Sequence, residues 1–187
     1  MAAGALSAAM VGAEAGPLTH AVDARGLMAY AAGLGETDPR YYDTLAPGGP
    51  AAHPLFAVVY EWPLALAVRA ETVDEALAPL SVHAAHRLAI HRAPRAGDVL
   101  LTTARVAAVT PRRAGTLVTV RFTTVDGAGR PVTTTDHASL YRGVPLDGAP
   151  GPDPWRRPSP PESAVAWQES LEIAATAAHV YTECARI

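Results

Sequence analysis

The sequence has no lysine, and all 15 basic residues of this 187-residue chain are arginines. Chemistry that needs a lysine amine for a Schiff base is therefore excluded. There is also only one cysteine, Cys184, so the chain can form neither an intrachain disulfide nor a metal site made of several thiolates. A lone cysteine is typical of a reducing compartment, and we expect a cytoplasmic protein.

A surplus of positive charge is missing as well. The formal net charge is −3, whereas nucleic acids and anionic membrane surfaces require a concentrated basic surface. We therefore expect neither as a main partner. No stretch offers the roughly 18 uninterrupted apolar residues of a membrane-spanning helix. The hydrophobic fraction of 49% is that of a globular protein.

Composition divides the chain into four parts. Residues 1–16 are small and apolar but lack the basic start of a signal peptide, and they predict a flexible N-terminal tail. Residues 17–145 carry the periodic patterns of a folded domain. Six prolines within 146–162 predict a semi-rigid linker or surface strap. Residues 163–187 predict a strand-like piece followed by a helix.

The main part predicts an α+β fold. A short strand at 18–22 precedes a helix that Asp23 caps and Gly35 ends. An apolar segment, 55–68, predicts a buried helix that Pro63 should kink or split. Alternation of period two predicts four strands joined by hairpin turns at 111–115 and 126–129: 87–91, 99–109, 116–125 and 132–141. An antiparallel sheet packed against a central helix follows.

Two stretches carry a resemblance to a known family. Residues 30–43 read Tyr-Ala-Ala-Gly-Leu-Gly-Glu-Thr-Asp-Pro-Arg-Tyr-Tyr-Asp, and residues 91–100 place Gly-Asp before a strand. They resemble the signatures of MaoC-like dehydratases and (R)-specific enoyl-CoA hydratases, over about residues 18–143. The resemblance implies a hot-dog fold, in which a curled sheet wraps a central helix. It also implies reversible addition of water to a 2-enoyl thioester, and we expect no cofactor.

The catalytic positions depart from the family pattern. In the family, an aspartate and a histidine position or activate one water molecule. This chain has Glu36 at the aspartate position, Asp38 at the asparagine position and Tyr41 at the histidine position. A tyrosine with an ordinary pKa of ~10 cannot replace an imidazole as a base at neutral pH. The usual dyad is therefore absent from this domain.

The residues near the start of the predicted central helix complete the candidate site. His53 stands there, beside the place where backbone amides polarise the thioester carbonyl in the family. The candidate catalytic residues are Glu36, Asp38, Tyr41 and His53. The candidate substrate-binding residues are Tyr42, Pro54, Leu55 and Phe56. Each also has a structural reading: a solvated turn carboxylate, a packing tyrosine or a capping histidine.

Two further groups are predicted not to form sites. His83, His86 and His91 lack acidic or cysteine partners at ligand spacing, so no metal site is predicted. Asp136 and His137 are adjacent in a strand, so their side chains should lie on opposite faces of the sheet and form no dyad.

Two functions remain open. The first is a dehydratase that acts on a β-hydroxyacyl or enoyl thioester of coenzyme A or an acyl carrier protein, or on a polyketide intermediate, including a tailoring dehydratase or cyclase of secondary metabolism. The second is a non-catalytic, substrate-binding hot-dog subunit of a heteromeric dehydratase, which the altered dyad favours. A thioesterase fits the signature less well.

An exposed sheet edge predicts a homodimer or a heterodimer with a related subunit. Residues 163–187 resemble the opening helix of a second hot-dog domain, so single and double forms both stay open.

Overall fold

Alternating side chains build a five-stranded antiparallel sheet. The computed structural model describes residues 4–155 and 167–187. Its strands are β1 Leu6–Ser7, β2 Glu14–Ala21, β3 Ser81–Ile90, β4 Val99–Arg112, β5 Gly115–Asp126, β6 Pro131–Arg142 and β7 Leu146–Asp147. Its helices are α1 Ala24–Gly33, α2 Ala57–Thr72 and α3 Ala177–Ala185. The strand order in the main sheet is β2-β4-β5-β6-β3, with antiparallel pairing throughout.

The apolar helix α2 lies against the concave face of this sheet. Tyr60, Leu64 and Val68 are buried on its inner side, and they pack with residues of the long strands into the two hydrophobic clusters of the core. The prediction of an α+β hot-dog fold is confirmed. The prediction that Pro63 splits the helix is wrong, because α2 is continuous from Ala57 to Thr72. Pro63 itself is exposed, so its ring points away from the packed core.

The predicted ends of α1 are confirmed. The Asp23 side chain accepts a hydrogen bond from the Gly26 amide at 2.6 Å, as an N-cap should. Gly35 follows the helix with φ +74°, the left-handed conformation that glycine adopts most easily. This sharp stop turns the chain directly into the loop that carries Glu36.

The fold begins earlier than the sequence analysis predicts. Leu6 and Met10 are buried in the core, β1 pairs with β7 and β2 begins at Glu14. The prediction of a flexible tail is therefore wrong for residues 6–16. The segment has few sequence signals for secondary structure, but its large apolar side chains Leu6 and Met10 pack in the core.

The proline-rich segment starts as a strap across the outer face of the sheet. Trp155 lies over the Arg87 guanidinium at 4.9 Å, and its indole N–H donates to Thr119 Oγ1 at 2.9 Å. Asp153 pairs with Arg112 at 2.7 Å. The predicted linker has no strand, whereas the structure has the two-residue strand β7 at its start, which pairs with β1. The rest of the predicted linker lies outside the described residues.

The C-terminal helix packs on α1. The first part of the predicted strand-like piece lies outside the described residues, and 167–176 contains neither helix nor strand. Helix α3 is present and approaches α1 closely at Gly33, where an added Cβ would lie 2.6 Å from the Cys184 Cβ. The Tyr30 and Tyr181 hydroxyls lie 3.4 Å apart. Tyr30 and Gly33 of α1 thus meet Tyr181 and Cys184 of α3, and the two contacting residues are three positions apart on each helix.

Within residues 4–155 and 167–187, no helix is long and apolar enough to cross a membrane.

Candidate functional site

Short-range hydrogen bonds fix the loop after α1. The Tyr42 hydroxyl donates to the Glu36 carbonyl at 2.6 Å. Asp38 caps a short 3-10 turn by accepting from the Arg40 amide at 2.9 Å. The Ala51 amide donates to the Arg40 carbonyl at 2.9 Å, which ties the two sides of the loop together. The loop therefore presents Glu36 in a defined position beside the start of α2.

Glu36 and His53 form a direct contact. His53 Nε2 lies 3.2 Å from Glu36 Oε1. On the other side of the ring, Nδ1 accepts a hydrogen bond from the Leu55 amide at 3.1 Å. Because Nδ1 is an acceptor, the mobile proton of the neutral ring is assigned to Nε2, which then donates to the carboxylate. The His53 side chain is 12% exposed and that of Glu36 is 35% exposed, so solvent or a ligand can reach the carboxylate.

Two tyrosines hold the His53 ring. The ring centroids of Tyr30 and Tyr41 lie 5.8 and 5.6 Å from that of His53. The Tyr30 hydroxyl donates to the Leu55 carbonyl at 2.9 Å, and burial raises the pKa of Tyr30, so it remains a neutral donor. Tyr41 is buried, and its hydroxyl accepts from Arg40 at 2.8 Å. Tyr41 therefore packs against the imidazole while its hydroxyl is held by Arg40.

The start of α2 leaves one amide available. The Phe56 amide donates to the His53 carbonyl at 2.9 Å, and the Val58 and Val59 amides donate to the Leu55 and Phe56 carbonyls. The Ala57 amide makes no hydrogen bond to any residue that the structure describes. It lies at the positive end of the helix dipole, where a developing oxyanion is stabilised.

The structure brings together three of the four candidate catalytic residues: Glu36, Tyr41 and His53. The fourth, Asp38, pairs with Arg40 at 3.2 Å and its side chain is 46% exposed, so it serves as a turn carboxylate. Among the candidate substrate-binding residues, Tyr42 donates a hydrogen bond within the loop, to the Glu36 carbonyl, and Leu55 is 50% exposed. Pro54 and Phe56 line a small cavity beside His53. The roles of these residues in binding and catalysis remain predictions.

The sequence analysis missed two titratable residues in the interior, one buried and one half-buried. Glu61 on α2 accepts a hydrogen bond from Thr135 Oγ1 at 2.6 Å, and burial raises its pKa to about 7. Burial and the neighbouring His83 and His86 lower the pKa of His137 to about 4. A signal for Glu61 exists, since it is the only charged residue in the apolar segment 55–68. No such signal marks His137, because its partners come from another strand.

The histidine cluster has the geometry of stacked rings. The ring centroids of His83 and His137 lie 4.6 Å apart, and those of His83 and His86 lie 5.7 Å apart at an interplanar angle of 24°. In the described ranges, no group of three or more histidine, cysteine, aspartate or glutamate side chains is placed to hold a metal ion. Asp136 accepts from Arg121 at 2.7 Å away from this cluster. The predicted separation of Asp136 and His137 is therefore confirmed.

Comparisons with known proteins place the chain in a family. A family model for the FAS1-like dehydratase domain region matches residues 9–135. No curated protein sequence matches. Since the family model spans more than half of the chain, the protein belongs to this dehydratase family, and the predicted membership of the MaoC-like hot-dog dehydratase family is confirmed.

Solved structures show the same fold at low identity. A MaoC-like dehydratase from Phytophthora capsici superposes with a TM-score of 0.74 at 21% identity, over 94% of this chain and 62% of that one. A HadBC (3R-hydroxyacyl-ACP dehydratase) complex from Mycobacterium tuberculosis gives 0.61 at 18% identity, over 70% of this chain and 96% of that one. The peroxisomal multifunctional enzyme type 2 of Drosophila melanogaster gives 0.59 at 21%, over 91% of this chain and 30% of that one.

The raised pKa of Glu61 makes the stability of the fold depend on pH. Burial raises its pKa to about 7 in the folded state from an ordinary value of 4.5. Between these values the unfolded chain ionises while the folded protein keeps the proton, so folding loses free energy as the pH rises. We expect the unfolding free energy of the protein, relative to that of Glu61→Gln, to fall by about 3 kcal/mol between pH 4.5 and pH 8. Urea titrations of both proteins measure this difference, and a difference that is constant with pH would contradict the assignment.

Proposed function

We propose that the protein is a hydro-lyase that dehydrates a β-hydroxyacyl thioester, or hydrates the corresponding 2-enoyl thioester, where the loop after α1 meets the start of α2. The observation that carries this proposal is the 3.2 Å contact between Glu36 and His53. It supplies a carboxylate at the position of the family aspartate and an imidazole that packs against Tyr41, the residue at the position of the family histidine.

In this proposal the two residues have different tasks. Both ring nitrogens of His53 are used, since Nδ1 accepts from Leu55 and Nε2 donates to Glu36. The ring therefore orients the carboxylate and is not itself the base. The second oxygen of Glu36 has no partner among the residues that the structure describes, so it can accept from a water molecule or take a substrate proton. Glu36 is thus the proposed general base and His53 the proposed positioning residue.

The proton balance needs only one base. In the hydration direction, Glu36 takes a proton from a water molecule as the water oxygen bonds to C3 and the C2=C3 electron pair moves towards the thioester carbonyl. The resulting enolate collapses, and C2 receives that proton from the Glu36 carboxyl group. Dehydration is the reverse: Glu36 takes the C2 proton, the C3–O bond breaks, and the departing hydroxide regains the proton. The Ala57 amide is suited to stabilise the enolate oxygen.

The proposal covers more than one carrier of the acyl group. The candidates are coenzyme A thioesters, acyl carrier protein thioesters and polyketide intermediates, including those of tailoring dehydratases or cyclases. Support for a carrier-bound acyl group comes from the structural likeness to the HadBC 3R-hydroxyacyl-ACP dehydratase complex. The same proposal needs no cofactor, since Glu36, His53 and one backbone amide supply every group that the reaction uses.

A second candidate function is a substrate-binding subunit without activity of its own. The observation that favours it is Tyr41, which stands at the position of the family histidine and is buried with its hydroxyl bound to Arg40. In this reading, the Glu36–His53 contact stabilises the loop, and a related hot-dog partner supplies the catalytic dyad.

Glu36→Gln distinguishes the two functions. If Glu36 is the base, this variant should lose about 10²- to 10⁴-fold in kcat for dehydration of a 3-hydroxyacyl thioester, because the amide cannot take a proton. His53→Ala should lose on the order of 10-fold, the worth of one orienting hydrogen bond. His53→Gln keeps a donor for Glu36 and should recover part of that loss. Stopped assays that follow absorbance of the enoyl thioester measure all three.

Asp38→Asn is the matched control for this experiment. It changes a carboxylate in the same loop, but this carboxylate binds Arg40 and is exposed, so kcat should stay within about 3-fold of the parent value. If Glu36→Gln keeps parental turnover while folded, the catalytic proposal is wrong. If the parent has no turnover but stimulates a related dehydratase in the same assay, the subunit function is correct.

Exposed edges support a partner for the hot-dog unit. Strand β3 is the last strand of the sheet, and Val82 and Ile90 on it are 38% and 44% exposed. Leu66 on the nearby face of α2 is 37% exposed. An unpaired strand edge with exposed apolar side chains favours pairing with another chain. The paired contacts of α1 with α3 further support the proposal that residues 163–187 correspond to the opening helix of a second hot-dog unit.

We expect the purified chain to form a dimer through β3. Light scattering at micromolar concentration should give about twice the 19.4 kDa of one chain. Val82→Lys should shift the mass towards the monomer, because it places a charge on the unpaired edge. Val99→Lys, which changes an even more exposed valine (48%) at the start of β4, is the control and should leave the dimer intact. A monomer for the parent chain would contradict this assembly.

A further inference from the structure

A groove runs between α2 and the edge of the sheet formed by β6 and β3. It contains two adjoining cavities, of about 180 and 70 Å³. Both cavities are lined by Trp62 and Ala65 from α2, by His83 from β3 and by His137 from β6. We call this space the α2–β3 groove. The hydration and dehydration chemistry proposed above makes no use of its polar residues.

Glu61 presents an unused carboxylate oxygen to this groove. The residue is only 4% exposed, and its Oε1 accepts from Thr135. Its Oε2 has no hydrogen bond from any residue that the structure describes, and the side chain lines the smaller cavity. A buried carboxyl group with an open oxygen is costly to maintain unless something pairs with it.

His137 faces the same space from the opposite wall. Its ring lines both cavities, and neither nitrogen has a hydrogen-bond partner among the described residues. The lowered pKa keeps the ring neutral at pH 7, so one nitrogen can donate and the other can accept. Glu61 and His137 thus offer donors and acceptors to one small volume.

The remaining walls of the groove are mostly apolar. They include Trp62, Leu66, Val118, Val120 and Phe122. The larger cavity is also lined by polar residues, namely Arg69, Thr72, Ser81 and Ser139. A cleft with apolar walls and a few convergent polar groups is the usual form of a small-molecule site. A bound group should therefore be largely hydrocarbon, with an oxygen atom where Glu61 and His137 converge.

The groove and the candidate catalytic site lie along the same helix, α2. A small cavity beside His53 is lined by Ala57 on α2 and Ile90 on β3. The cavity that contains Glu61 comes next along α2, and four helical residues beyond Ala57 correspond to about 6 Å along the axis. An acyl chain whose thioester lies at the Ala57 amide therefore reaches Glu61 by running along the helix.

We propose that the α2–β3 groove binds the acyl chain of the substrate and that Glu61 and His137 bind an oxygen substituent on that chain. This inference rests on the proposed function and narrows its substrate class to acyl thioesters that carry a hydroxyl or keto group beyond C3. An unsubstituted chain would cover Glu61 Oε2 and the His137 ring nitrogens without giving them a hydrogen-bond partner, and sites built for a hydroxyl reject ligands that lack it.

The test uses binding and not turnover. The ligands are decyl pantetheine thioethers, which cannot undergo dehydration, either unsubstituted or with a hydroxyl group at the fifth, seventh or ninth carbon. Isothermal titration calorimetry with the full chain should show at least one hydroxylated ligand that binds about 10-fold more tightly than the unsubstituted one. Glu61→Leu should abolish this preference, and Glu61→Gln should retain part of it.

Controls keep the result interpretable. His137→Phe gives an independent test if Glu61→Leu does not fold, and it should also reduce the preference. Asp38→Asn should leave the preference unchanged. Equal binding of all four ligands to the parent, or an undiminished preference in the folded Glu61 and His137 variants, would overturn the proposal. A hydroxyl preference without any dehydratase turnover would contradict the proposed function and leave the groove assignment intact.

Discussion

The contact between Glu36 and His53 depends on one hydrogen bond from the backbone. The Leu55 amide donates to His53 Nδ1, and this bond fixes which nitrogen carries the proton. With Nδ1 occupied, Nε2 can only donate, and the carboxylate of Glu36 is the acceptor within reach. The start of α2 therefore determines the chemistry of the loop, because it holds both the imidazole and the free Ala57 amide.

Burial sets the second constraint on the molecule. The helix α2 must be apolar to pack inside the curled sheet, yet it carries Glu61 at a buried position. Thr135 satisfies one oxygen of this carboxyl group, and desolvation raises its pKa. The fold thus tolerates a group that weakens it at neutral pH, which is the pattern expected where a ligand supplies the missing partner.

Much of the fold follows from local signals in the sequence, and much of the site does not. Period-two alternation and glycine turns predict the four long strands, and Asp23 and Gly35 mark the ends of α1. The strand β1 was missed because Leu6 gains its stability from a distant pairing with Leu146. The family resemblance placed Glu36 and His53 near one another. Their contact and the opposing positions of Glu61 and His137 depend on side-chain geometry across separate elements.

The protonation of His53 tests the central claim most directly. Nitrogen-15 NMR of the imidazole at neutral pH should show the proton on Nε2 and a bare Nδ1, since Nδ1 accepts from the Leu55 amide. Glu36→Gln should shift the Nε2 resonance, because it replaces the carboxylate that accepts the proton. A proton on Nδ1, or an Nε2 resonance that is indifferent to Glu36→Gln, would contradict the account.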